Sequence, residues 1–293
     1  MEEVQLASGI DKLRLSKDEV FFLSKKANGV RAKFKDGKLI SRQGKEFTGM
    51  NHIIQDIHNL NLETYFVDGE LIRKNVDDLD DNSNFRIGTG IINSDAETKE
   101  EIEFVIFDCF PVETIINGKS TENYSVRKER METLRTIISQ KNIQNISVIE
   151  MVYEGSEQSK IDEWLDYAVD KGWEGLILNK DMPYEFKRTP SVIKLKRFST
   201  VDLEIVDVIE GKGRLKGTLG AVVLNFKGNH VNCGSGFTDE DRTQLWLERE
   251  SLIGRVAEIK YKEISRNKKT GLESLQFPIW QQLREVGKKP SYE

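Results

Sequence analysis

A break in texture near residue 200 constrains the fold of this chain more than any other feature. Before the break, helical and strand-like apolar patterns alternate. After it, about 90 residues read as short strands separated by glycine-rich turns, with one helix expected near 239–250. Two textures in 293 residues imply two domains. A mostly β segment of this length suits a small barrel. The expected class is α+β: a mixed domain over 1–199, then a β-barrel domain over 200–293, with the boundary falling at 198–201.

Within the first domain, Val30 to Phe34 alternates and runs into Asp36-Gly37, a type I′ hairpin signal, with Leu39 to Arg42 as the return strand. Asn28-Gly29 reads as a second tight turn. A short helix is expected over 52–60. Tyr65-Phe66-Val67 reads as a strand leading into Asp68-Gly69-Glu70-Leu71, and Phe104 to Phe107 as a buried strand. Helices are expected over 126–140 and 159–172. For the second, Ser159 with Asp162 makes a capping-box pattern and Gly172 suits the position just past the end. A strand-like run lies between these helices at 146–153, and two more follow the second at 175–178 and 192–196.

Several classes of protein are excluded. No apolar run approaches the ~18 residues of a membrane span, and the first residues carry no secretory pattern. Cys109 and Cys233 are too few for a disulfide framework or a four-thiolate zinc site. His52, His58 and His230 lie in no ligand-spaced motif, and neither a Walker loop nor a dinucleotide glycine fingerprint is present. The net charge is −5, and residues 201–293 hold 15 basic against 14 acidic residues. Any contact with nucleic acid must therefore come from a local patch, because the global field opposes it.

Three groups of residues have the right chemistry for a site. Lys26, just before Asn28-Gly29, sits where rigid backbone would aim it into a concavity. Neighbouring cations such as Lys25, Arg31 and Lys194 favour a neutral, nucleophilic amine there. An ordinary exposed lysine is the simpler reading of that hexapeptide alone. Asp68-Gly69-Glu70 offers two carboxylates to a divalent cation or a ribose hydroxyl, and equally fits plain turn chemistry. Glu174 at a strand start suits Mg²⁺, and Lys194 and Lys196 share one strand face as phosphate binding requires, although a solvated edge explains them as well.

The order of these groups resolves the ambiguity. Lys26-Ala27-Asn28-Gly29-Val30-Arg31 resembles the K-x-[DN]-G-x-R signature of covalent nucleotidyltransferases. Ser41-Arg42-Gln43-Gly44, Asp68-Gly69-Glu70-Leu71, Phe107-Asp108, Glu174-Gly175-Leu176-Ile177 and Lys194-Leu195-Lys196 then follow in that superfamily's order. In the second domain, Gly211 to Gly220, Cys233 to Thr238 and Gly271 to Pro278 resemble segments of the OB-fold domain of ATP-dependent DNA ligases. The chain as a whole is similar to the small two-domain ligases of bacteriophages and some bacteria.

The resemblance implies a nucleotidyltransferase domain followed by an OB-fold β-barrel that closes on its substrates about a hinge at 198–201. It implies ATP as adenylate donor, Mg²⁺ or Mn²⁺ as metal, and nicked duplex DNA as partner. It further implies a cytoplasmic, monomeric enzyme of a bacterium or a phage-infected cell, with no membrane. Lys26 would become AMP-lysine, with Lys194 and Lys196 at the α-phosphate. Arg31 and Arg42 would contact the nucleotide or the nick 5′-phosphate. Phe107 would stack on adenine, Glu70 would meet ribose or metal, and Glu174 would meet metal. Arg284 would orient pyrophosphate. Arg214, Lys216, Arg266, Lys268 and Lys269 would contact DNA phosphates.

Two departures stand out. Ser24 occupies the position two before the lysine, where these ligases usually carry Glu or Gln for adenine. Asn28 replaces the usual Asp. The alternatives are an RNA ligase, a capping-type guanylyltransferase, or a non-catalytic OB-fold binder. NAD as donor is disfavoured, because the relatives that use it carry an extra N-terminal domain and a cysteine zinc site.

Overall fold

The computed structural model describes residues 4–74, 79–197, 199–267 and 270–292, apart from the side chains of Asn82 and Glu263. Lys268, Lys269 and Phe198, named above, lie outside the described residues. The chain divides into two compact units, Met1–Lys196 and Arg197–Glu293.

The strands and helices of the first unit run, in chain order, β1 (Leu6–Ser8), β2 (Phe21–Lys25), β3 (Val30–Lys35), β4 (Lys38–Ser41), α1 (Asn51–Asn59), β5 (Tyr65–Arg73) and α2 (Asp81–Ile92). There follow β6 (Ile102–Pro111), β7 (Ile115–Ile116), β8 (Lys119–Ser120), α3 (Tyr124–Gln140), β9 (Ile146–Val148) and β10 (Met151–Gly155). The unit closes with α4 (Ser159–Asp170), β11 (Leu176–Lys180) and β12 (Arg188–Leu195).

Two five-stranded sheets form the body of this unit, ordered β1-β12-β11-β2-β10 and β4-β3-β5-β6-β9. Strand periodicity decides what each face does. On the first sheet, Phe21, Leu23, Leu176, Leu178, Ile193 and Leu195 point one way and pack with Ile161, Leu165 and Ala168 of α4. The alternate residues Ser24, Ile177, Asn179, Val192 and Lys194 point the other way and line a cavity. The second sheet shares its core with α1 and α3 through Ile53, Ile57, Met131, Leu134 and Ile138.

Asp36 and Gly37 both have positive φ, 51° and 76°, and Lys35 pairs with Lys38, which is the expected type I′ hairpin. Asn28-Gly29 is not a second one. Neither residue has a left-handed φ; instead a Cβ on Gly29 would lie 2.3 Å from the Leu71 carbonyl oxygen. Glycine is required there because β3 passes close to β5. Asp68-Gly69-Glu70 lies mid-strand in β5 rather than in a turn. The Ser159–Asp162 capping box does not form: Gln158 occupies the cap without a side-chain bond. Gly172 does sit just past that helix with φ +67°.

One buried ion pair pins the second sheet to α3. Arg127 is 1% exposed, and its Nε donates to Asp108 Oδ1 at 2.8 Å while Nη1 reaches the Glu122 carbonyl at 2.6 Å. Asp68 stands opposite Asp108 in the β5–β6 register, so two buried carboxylates lie side by side.

The second unit contains β13 (Ser199–Glu210), β14 (Leu219–Phe226), β15 (Asn229–Cys233), α5 (Asp239–Leu247), α6 (Arg249–Leu252), β16 (Val256–Tyr261), β17 (Glu263–Arg266), β18 (Glu273–Gln276) and β19 (Ile279–Leu283). A five-stranded antiparallel sheet runs β15-β14-β13-β16-β19, and a separate β17–β18 hairpin joins the same core through Leu275, with Lys227 paired to Glu273. The expected barrel is not fully closed. Among the described residues, one bridge from Ser235 to Ile279 joins the two edges. Thr238 caps α5 in a true capping box with Asp241. Gly236, φ +95°, lets the backbone pass against Trp280, where a Cβ would meet the Trp280 carbonyl oxygen at 2.4 Å.

Candidate active site

The cavity lies between the two sheets of the first unit. From the first sheet and its edges come Gln5, Ala7, Ser24, Lys25, Lys26, Ile177, Asn179, Val192 and Lys194. From the second come Arg31 of β3, Glu70 of β5, and Phe107 and Asp108 of β6. Lys26 leaves the end of β2, and its backbone N–H donates to the Gly175 carbonyl at 2.9 Å, which ties the lysine to the Glu174-Gly175 step. Gly175 has φ +147°, and a Cβ there would strike the Leu195 carbonyl oxygen, so the β11–β12 approach also demands glycine.

Glu174 is the electrostatic centre of the site. One of its carboxylate oxygens accepts from Lys26 Nζ and the other from Lys196 Nζ. Burial alone would raise its pKa; Lys26 and Lys196 outweigh that and hold it below the ordinary carboxylate value. Glu70 faces the same charges with a different result. Burial dominates and lifts it to about 7, against the pull of Lys26 and Arg31.

That shift has a testable sign. Folded Glu70 keeps its proton where an unfolded glutamate, near 4.5, has lost it. The stabilisation from this group is full below the unfolded value and is lost as pH rises through about 7. Glu70→Gln should therefore flatten the fall in melting temperature between pH 5.5 and 8 in the nucleotide- and metal-free protein. Equal slopes in the two proteins would refute it.

Arg31 is held in place by its neighbours. Its Nε donates to Asp68 Oδ1 at 2.7 Å and an Nη to Oδ2, another bond reaches the Gln5 carbonyl at 3.0 Å, and the guanidinium lies 4.7 Å from the Phe107 ring centroid. Asp68, fully buried, also accepts from the Tyr184 hydroxyl. Burial opposes the charged arginine, but Asp68 overrides it and raises the Arg31 pKa.

The site thus brings together Lys26, Arg31, Glu70, Phe107, Glu174, Lys194 and Lys196 from segments spread over 170 residues. Other expected residues lie elsewhere. Arg42 is exposed in the turn after β4 and does not line the cavity. In the second unit, Arg284 is bound to Asp202 at 2.8 Å and Glu258 at 3.3 Å. Arg214 pairs with Asp239 and Arg266 with Glu273, all three arginine pairs within their own unit, and Lys216 is exposed. Asp68 as anchor of Arg31, and Tyr184, Gln5 and Asn179 in the cavity wall, escaped the sequence reading. Only Asn179 had a signal, since it falls on the same face as Ile177 by strand alternation.

A lysine amine paired to a carboxylate beside further cations at a cavity wall is the arrangement that a lysine-centred nucleotidyltransferase requires. Residues 4–196 match the family model of the ATP dependent DNA ligase domain, and residues 210–284 that of the DNA ligase OB-like domain. The chain belongs to the ATP-dependent DNA ligase family. A DNA ligase of Haemophilus influenzae is 23% identical over 252 residues, covering 86% of this chain and 84% of that protein. The solved structure Pmar-Lig_PreS3 is 27% identical with a TM-score of 0.78, covering 96% of this chain and 67% of that one. A structure from a study of Lig E DNA ligases shares the fold at 20% identity and a TM-score of 0.70, covering 97% of this chain and 100% of the other. The family is one of adenylyltransferases that use ATP and work through a lysyl-AMP intermediate.

Proposed function

We propose that this chain seals nicks in duplex DNA, with Lys26 as the adenylylated residue. The observation that carries the assignment is Lys26 at the cavity wall, with Glu174 held between it and Lys196. In the first step Lys26 Nζ attacks the α-phosphorus of ATP; the N–P bond forms, pyrophosphate leaves, and the protons that the amine sheds pass to solvent. AMP then passes to the nick 5′-phosphate and frees the lysine. Finally the 3′-hydroxyl attacks that phosphate and expels AMP.

Lys194 and Lys196 balance the α-phosphate charge, so Lys196 must leave Glu174 when nucleotide arrives. Arg31, preset by Asp68, contacts the ribose or phosphate, and Phe107 stacks on the base. Arg42 and Arg284 complete the set at the nick phosphate and the pyrophosphate; in the structure Arg284 is engaged by Asp202, so its role requires release.

A divalent cation fits the donors present. Among the described residues no cluster of three metal-ligating side chains exists. Glu70 and Glu174 nevertheless supply two hard carboxylates, which suffice for Mg²⁺ or Mn²⁺ that takes its other ligands from phosphate and water. Such an ion would neutralise the non-bridging oxygens during transfer.

Arg214, Lys216 and Arg266, with Lys268 and Lys269, contact DNA phosphates, and the enzyme works as a cytoplasmic monomer. Phosphate contacts are sequence-independent and release counterions. Sealing of a single nick with ATP and Mg²⁺, at limiting DNA, should fall about tenfold or more between 50 and 200 mM salt. A flat salt profile, or joining of RNA in place of DNA, would overturn this reading.

A further inference from the structure

Three polar side chains of the cavity wall are buried and idle. Ser24 is 3% exposed, Gln5 5% and Asn179 8%. All three line the cavity, and among the described residues none of their side chains makes a hydrogen bond. Among the described residues the fully enclosed side-chain atoms without a partner, such as Thr89 Oγ1, lie elsewhere, so the Gln5 and Asn179 amides open onto the cavity, where a ligand with its own donors and acceptors can pair with them.

The backbone holds Gln5 ready. Its N–H donates to the Tyr184 hydroxyl at 2.7 Å, and its carbonyl accepts from Arg31 at 3.0 Å. The residue is therefore clamped by two groups of the site, and only its side chain is free. Asn179 is fixed by the ladder: it pairs with Phe22 on one side and Val192 on the other.

The register also gives the direction of the ligand. Leu176 of β11 lies opposite Lys25, next to the Lys26–Glu174 end where phosphate chemistry belongs. Asn179 is three residues further along β11, about 10 Å at the usual rise per residue. That span suits the distance from the phosphorus of a nucleoside monophosphate to the far edge of its base. Apolar Ile177 and Val192 lie along the same face, as a purine plane requires.

We infer that Gln5 and Asn179 read the adenine base, through carboxamides in place of the longer acidic or amide side chain that Ser24 lacks. An amide offers one donor and one acceptor side by side, which complements the amine and ring nitrogen along an edge of adenine. Neither amide can match two donors at once as a carboxylate does. The inference rests on the nucleotidyltransfer reading above, because it presumes that the nucleotide's phosphate lies at Lys26.

Direct binding tests it without turnover. In a Lys26→Ala background, which cannot trap AMP, calorimetry would measure ATP against the 5′-triphosphate of purine riboside, which lacks the 6-amine. The parent should prefer ATP about tenfold or more. Gln5→Met and Asn179→Leu keep the volume and remove the amide. Each should weaken ATP about tenfold, leave the purine analogue less affected, and so collapse the preference. In the Lys26 enzyme the same substitutions should raise the KM for ATP more than they lower kcat.

Thermal melting of each variant checks that it is folded. If one of them does not fold, the smaller Gln5→Ala or Asn179→Ala, which also lacks the amide, carries the same comparison. Folded variants that keep the parent's ATP affinity and preference would overturn the inference. Failure of the function reading looks different: the unmodified enzyme would then form no covalent AMP adduct at all.

Discussion

Replacing Lys26 with alanine should abolish formation of the enzyme–AMP adduct and reduce nick sealing with ATP by on the order of 10⁴-fold or more. The size follows from the chemistry. The adenylate reaches the DNA only through Lys26, and among the described residues no other lysine stands in its place: Lys25, also in the cavity lining, has its Nζ 5.1 Å from the Trp173 ring centroid. Lys194 lies across β11 on β12, and Lys196 is bound to Glu174. The fold should survive, because Lys26 is only partly buried and its ion pair leaves Glu174 still bonded to Lys196. Sealing by Lys26→Ala of DNA that already carries a 5′-adenylate should persist in part, since the last step needs no lysyl-AMP. Undiminished sealing with ATP would place the nucleophile elsewhere.

The second large effect is on stability. Arg127→Met should destabilise the first unit by about 3–5 kcal/mol, the usual penalty for orphaning a buried charge. Arg127 is the only arginine bonded to Asp108 among the described residues, and Asp108 stands in register beside the equally buried Asp68. Burial already pushes the Asp108 pKa up against the pull of Arg127. Without Arg127 the carboxyl would rise further and take a proton at mildly acid pH. The loss should therefore be larger at pH 8 than at pH 5.5, because only the ionised form is costly there. For a unit of this size the melting temperature should fall by roughly 10 °C. Thermal melts of both proteins at the two pH values measure it, and a loss under about 1 kcal/mol at pH 8 would contradict it.

Much of this was legible in the sequence where local chemistry decides. Asp36-Gly37 imposes φ > 0 at two successive positions, so its hairpin could be read directly. Helix α3 follows from apolar spacing, and the site's lysines and carboxylates from motif order. Local rules failed where a distant strand decides. Gly29 looks like a turn residue but answers to the Leu71 carbonyl on β5. Ser159 looks like a cap, yet the helix starts one residue earlier. Helix α2 and strand β1 were not foreseen: α2 carries two glycines among its twelve residues, and β1 is three residues long. The arginines of the second unit show the limit of reading charge alone, since Arg214, Arg266 and Arg284 each have an acidic partner that sequence distance conceals.

The most direct test of the central claim is chemical. The protein is incubated with ATP labelled at the α-phosphate, the covalent adduct is digested and the labelled peptide sequenced; the remaining adduct is then chased with a singly nicked DNA duplex. The account predicts label on Lys26 alone, transfer of that label to the nick 5′-phosphate, and its release as AMP as the strand is sealed. Label on another residue, or an adduct at Lys26 that nicked duplex DNA fails to discharge, would contradict it.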